Sequence, residues 1–227
     1  MKSFKGIFSI VILVFFIFLI GCATMEKGSG ERVRLKEPRI KPVPESEWNA
    51  DQEKILKPLK KVFQGDRKDE RVINVFTTLA RNPQMTARWL PFAAYIAGRS
   101  TLVPREREIL ILRISWLCGS EYQFGQHTLV GKSAGLTNEE IRRITQGPKA
   151  AGWDAFDATL LRATDELYYD AFITDGTWNA LAKRYNQQQL IDVVATVGEY
   201  NLSSMLSNSL GMQLDEGVPG FPKGKDK

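Results

Sequence analysis

Residues 108–117, EILILRISWL, constrain this chain more than any other stretch. Apolar side chains run almost all the way round a helical wheel, the pattern of a helix enclosed by other helices rather than one lying on a surface. From about Trp48 to Leu214 the remaining sequence shows helical periodicity with start and stop signals, and no alternating run bounded by hairpin turns. Thr137 with Glu140, Asn186 with Gln189 and Ser120 with Gln123 stand in capping-box relation, and Thr174 or Asp175 is placed to cap the segment holding Trp178 and Leu181. Pro83, Pro104, Gly135, the Gly147–Pro148 pair and Gly211 separate the segments. The last helix, from about Gln187 to Leu210, is expected to be strongly buried through Leu190, Val193, Val194, Val197 and Met205, with Gly198, Ser203, Ser204 and Ser207 permitting close approach. About 165 residues suffice for one core, and no linker divides them. The expectation is a single all-α domain over residues 47–214 with a polar tail over 215–227.

The N-terminus reads as a targeting segment. Lys2 and Lys5 precede an apolar run that closes on Leu19, Ile20, Gly21 and Cys22, which resembles the bacterial lipoprotein box. Residues 1–21 are then a signal peptide, and Cys22 becomes the lipidated first residue. Residues 22–46 carry Pro38, Pro42 and Pro44 with scattered basic residues, and are expected to form a tether to the membrane. Ala23, rather than an aspartate, follows the cysteine, which favours the outer membrane of a bacterial cell envelope, the domain facing the periplasm. Removing Lys2 and Lys5 takes the formal net charge from +5 to +3, too small an excess to suggest a nucleic-acid binder. With Cys22 lipidated, Cys118 is the one thiol left, so no internal disulfide is possible.

The richest chemistry lies in residues 118–127, CGSEYQFGQH, which hold the one histidine of the chain. Ser120, Gln123 and His127 are spaced by three and four residues and share a helix face. Cys118 lies just before that helix, where unpaired amides favour a thiolate if the sulfur points there; otherwise it is a small core residue. In the preceding helix Glu108 and Arg113 sit in an apolar run and require partners. If the two helices fold back on each other, Glu108 reaches His127 and fixes its tautomer; alternatively Glu108 pairs with Arg105 or Arg113. One histidine, one thiol and scattered carboxylates fall short of a dedicated metal site, and no glycine-rich phosphate loop accompanies them, so neither metal nor cofactor is expected.

Residues 102–144, LVPREREILILRISWLCGSEYQFGQHTLVGKSAGLTNEEIRRI, resemble the core motif of the carboxymuconolactone decarboxylase and alkylhydroperoxidase D superfamily, and a looser likeness extends from about Pro44 to Leu214. Members with hydroperoxidase activity carry a Cys-x-x-Cys pair ending four residues before the histidine, and a glutamate twelve residues before the first cysteine. Glu108 and His127 match, whereas the cysteine positions fall on Ser120 and Gln123. Decarboxylase-like members often show a tyrosine–glutamate–tryptophan arrangement, replaced here by Tyr122, Gln123 and Phe124.

The resemblance implies an all-helical fold, assembly as trimers or hexamers, and a small-molecule substrate. It implies acid–base chemistry in which His127 transfers the proton, Glu108 orients it, and Ser120, Glu121, Tyr122 and Gln123 bind substrate. A second expectation is a one-cysteine peroxidase reaction at Cys118 with an external thiol resolving the sulfenate. A third is a binding or scaffold lipoprotein that kept the fold without the chemistry.

Overall fold

The computed structural model describes residues 35–62 and 72–222. The expected signal peptide, Cys22 and the first half of the tether lie outside the described residues. Among the described residues the chain forms a short 3-10 turn, Glu45–Glu47, and nine α-helices: α1 Ala50–Val62, α2 Asn74–Leu79, α3 Pro83–Gly98, α4 Pro104–Leu117, α5 Glu121–Ser133, α6 Asn138–Gln146, α7 Ala155–Asp170, α8 Asp175–Ala182 and α9 Gln187–Leu210. No strand occurs among them, and no helix is long and apolar enough to cross a membrane.

Helix α4 is the axis. Ile109, Leu110, Ile111, Leu112 and Ile114 are fully buried, each contributing about 1.5–3 kcal/mol by leaving water. Around them lie Phe124 of α5, Ile141 and Ile144 of α6, Leu160 and Leu161 of α7, and Val193 and Val197 of α9. A second, smaller core gathers Leu56 of α1, Val75, Phe76 and Leu79 of α2, and Tyr122 and Met212.

The helix starts follow the sequence signals with two exceptions. Thr137–Glu140 and Asn186–Gln189 form complete capping boxes, and Pro83 and Pro104 open α3 and α4. At α5 only half of the box exists: Ser120 Oγ accepts from Gln123 N at 3.4 Å, and its hydroxyl also meets Ser207 Oγ at 2.8 Å. At α8 Thr174 occupies the capping position without a capping bond, because its hydroxyl and its amide N–H donate to Glu166 at 3.0 and 2.9 Å.

Three further differences from expectation concern packing, and the last two come from contact between segments remote in sequence. Helix α9 buries Leu190, Val193 and Val197 but leaves Val194 and Met205 exposed, so it is a wall with one open face rather than an enclosed helix. Residues 35–46 lie on the domain: Arg39 N donates to Leu210 O at 2.9 Å, Val43 N donates to Thr77 O at 3.1 Å, and the Val43 side chain is buried. The described part of the expected polar tail, 215–222, also folds back, with Phe221 edge-on to Trp116 and Phe124 at centroid distances of 4.8 and 5.1 Å. Gly125 is what admits it, since a β-carbon there would sit 2.2 Å from the carbonyl oxygen of Pro219.

Candidate functional site

The site begins with the reversal between α4 and α5. Cys118 N and Gly119 N donate to Ile114 O and Trp116 O, and Gly119 takes φ of 64°, the left-handed conformation that closes such a turn. Ser120 then caps α5, and α5 returns along α4. Folding back sets His127, in the second turn of α5, beside Glu108, in the second turn of α4.

Glu108 is fully buried. Its Oε2 lies 2.7 Å from His127 Nδ1, while Arg107 Nε stands 3.6 Å from Oε1. Neither Oε1 nor that Nε takes a hydrogen bond among the described residues. The alternative partners are otherwise engaged. Arg105 forks onto Asp157 at 3.0 and 2.8 Å and also meets Glu140, and Arg113 forks onto Asp165 at 2.6 and 3.0 Å. Glu108 therefore belongs to the histidine. With Nδ1 committed to a carboxylate, Nε2 is the ring nitrogen left for proton exchange.

Tyr200 of α9 completes this arrangement. Its ring meets that of His127 edge-on, 4.6 Å between centroids and 83° between planes. Burial, with the negative charges of Glu108 and Glu199 nearby, pushes the phenol up, so Tyr200 stays neutral across the ordinary pH range. Sequence reasoning did not single out Tyr200 or Arg107. For Tyr200 the available signal was its place one turn after Val197, on the buried side of an amphipathic helix.

The other expected site residues are dispersed. Gln123 is buried one turn before His127 on the same helix side, and Ser120 is buried between α5 and α9. Tyr122 lies five positions before His127, about 140° round the helix, in the second core. Its hydroxyl donates to Asp215 Oδ2 at 2.8 Å and accepts from Val75 N at 2.9 Å. Burial, with Asp215 beside it, holds that phenol well above its usual range. Glu121 Oε1 accepts from Phe221 N at 3.0 Å, which ties it to the returning C-terminal segment. Tyr122 and Glu121 thus join elements together and do not line the histidine.

Cys118 is half-buried. Its thiol donates to Asn201 Oδ1 at 3.1 Å, and its carbonyl accepts from Asn208 Nδ2 at 2.9 Å. Among the described residues no group of three or more histidine, cysteine or acidic side chains is arranged to hold a metal ion.

The fold and this geometry define a class: an all-helical domain whose central hairpin carries a carboxylate–imidazole pair. Residues 83–166 match the carboxymuconolactone decarboxylase family. The matched span holds Glu108, Cys118 and His127 but ends before α9, which carries Tyr200.

Solved structures share the fold. An alkylhydroperoxidase D core, an uncharacterized peroxidase-related protein from Ralstonia eutropha JMP134, superposes with a TM-score of 0.66 at 19% identity over 78% of this chain and 92% of that one. A peroxidase-related protein from Silicibacter sp. TM1040 gives 0.64 at 17% identity, covering 83% and 94%. A substituted form of the debrominase Bmp8, in complex with 2,3,4-tribromopyrrole, gives 0.65 at 11% identity, covering 80% and 94%. No curated protein matches the chain.

Proposed function

We propose that this domain is a cofactor-independent acid–base enzyme acting on a small carboxylated or lactone-like molecule, carried on an exported lipoprotein anchored through Cys22. The observation that carries the reading is the 2.7 Å contact between His127 Nδ1 and a fully buried Glu108 carboxylate. Glu108 fixes the tautomer and orientation of the ring, and Nε2 takes a proton from the substrate or returns one to it. Tyr200, neutral and edge-on, limits how far the ring can tilt. Gln123, on the histidine side of α5, is placed to bind a polar substrate group.

The proton-transfer reading is preferred to dithiol peroxide reduction on chemical grounds. A dithiol cycle needs two sulfurs, and the family's cysteine positions hold Ser120 and Gln123. A one-thiol reaction needs a sulfur free to attack peroxide, whereas the Cys118 thiol is hydrogen-bonded to Asn201 Oδ1 at 3.1 Å.

The test is exchange of carbon-bound hydrogen for solvent deuterium, and decarboxylation or lactone opening, followed by NMR across a panel of small carboxylates and lactones. For any substrate found, His127→Ala is expected to lower turnover by ~10²–10⁴-fold, the usual weight of a positioned acid–base group. Turnover that survives this substitution would overturn the assignment. Sulfenate trapped at Cys118 by stoichiometric peroxide would move the chemistry to the thiol.

A further inference from the structure

Helix α9 has an inner face that closes the core and an outer face that none of the described residues covers. The outer residues are unusual for a surface helix. Ile191 is 66% exposed, Val194 40%, Leu202 45% and Met205 56%, with Gly198 exposed between them. These five positions are spaced three, four, four and three residues apart, so they form one apolar stripe along the helix. Its ends, Gln187 and Gln188 on one side and Asn208 and Ser209 on the other, are exposed and uncharged. One residue in four of this chain is charged, yet the two charges of α9, Asp192 and Glu199, are both buried on the inner face.

The stripe reads the same from both ends about Gly198. Val194 and Leu202 stand four residues to either side, and Ile191 and Met205 seven. Gln188 and Asn208 stand ten to either side, and Gln187 and Ser209 eleven. An antiparallel copy of the helix, related by a two-fold axis through Gly198, would set each residue against its counterpart, apolar against apolar and uncharged polar against uncharged polar. At the axis itself, nothing lies within 4 Å of where a β-carbon of Gly198 would be, so two backbones can approach there. A membrane surface fits the face less well, because interfacial helices carry lysine or arginine beside their apolar stripe, and the exposed residues of α9 include neither.

We infer that the outer face of α9 is a two-fold contact with a second copy of this chain, centred on Gly198. The inference is independent of the proposed chemistry, but the same helix carries Tyr200 and Asn201 toward His127 and Cys118, so the second copy braces one wall of the site from behind. A two-fold contact of this kind occurs in dimers and in dihedral hexamers and is absent from a simple trimer.

The test uses the full chain in density-matched detergent, with Cys22 and Cys118 replaced by serine. Sedimentation equilibrium is expected to give an even number of subunits. Under mild oxidation Gly198→Cys is expected to cross-link to itself. Ile191→Cys and Met205→Cys should cross-link when mixed and not when alone. Leu202→Glu and Gly198→Leu should each weaken association at least tenfold, with the helical circular dichroism unchanged. A monomer, a trimer, or cross-linking of Ile191→Cys to itself would overturn the inference. So would a monomer whose binding to phosphatidylglycerol vesicles is lost on Leu202→Glu, which would give the stripe to lipid.

Discussion

Two carboxylates two residues apart on α4 are both buried, and they lead different lives. Glu106 is fully engaged: Oε1 accepts from Arg184 and Oε2 from the hydroxyl of Tyr185 at 2.6 Å. Burial and that carboxylate push the Tyr185 phenol well up, so the donor keeps its proton. Glu108 has one oxygen on His127 and the other without a hydrogen bond among the described residues, with Arg107 Nε 3.6 Å away. The first arrangement ties α4 to the α8–α9 connection. The second holds a titratable ring against an anion that is only half used, which is costly for folding and useful for moving protons. The same residue type, on one helix and at the same depth, is structural where its hydrogen bonds are complete and chemical where they are not.

Isosteric substitution sharpens this contrast. The largest effect is expected from Glu108→Gln, which keeps the shape but removes the anion behind the imidazole. Turnover should fall by ~10²–10⁴-fold, while the urea midpoint falls less than for the same change at Glu106. Equal losses of stability at the two positions would erase the distinction.

Glu106→Gln comes next. It weakens two charge-assisted hydrogen bonds, and a loss of about 1–3 kcal/mol in urea unfolding is expected. The lower half of that range is favoured because the Arg184 side chain is 54% exposed and water screens its share. Activity per folded molecule should be unchanged, and a fall comparable to that of Glu108→Gln would place Glu106 in the site.

The smallest effect is expected at a third buried carboxyl, Glu199. Its Oε1 accepts from Trp89 and Ser203 at 2.8 and 3.0 Å, and its Oε2 has no hydrogen-bond partner among the described residues. Burial outweighs those two hydrogen bonds and raises its pKa. The folded protein therefore holds this proton more tightly than the unfolded chain does. Its contribution to stability is complete below the ordinary carboxylate range and is lost as pH rises through the raised value. Glu199→Gln should leave the urea midpoint nearly unchanged near pH 4 and raise it relative to the parent toward pH 7. A midpoint difference that is flat with pH would contradict this sign.

Much of the central hairpin is legible in the sequence, because its signals are local. The enclosed character of α4 follows from residues 108–117, and the Glu108–His127 meeting follows from two helices joined by a three-residue turn. What lies beyond comes from chain-distant partners. Tyr200 reaches His127 across 73 positions, and the Tyr122 hydroxyl is consumed by Asp215, which no spacing rule links to it. Residues 35–46 look like a spacer because they are attached largely through backbone groups, such as Arg39 N and Val43 N, and such bonds leave no periodic trace in the side chains. Helix α9 misleads for a different reason. Val194 and Met205 are apolar on the outer face, so composition alone suggests burial that the described residues do not supply.

The return of residues 215–222 across α5 also sets an order of events during synthesis. Trp116 and Phe124 are translated roughly a hundred residues before Phe221, the ring that packs edge-on against both. Until that segment leaves the ribosome, the aromatic side of the α4–α5 hairpin lacks this cover. The nascent chain therefore stays open to aggregation and to chaperone capture on this side of the hairpin until Phe221 has been made and has packed against it.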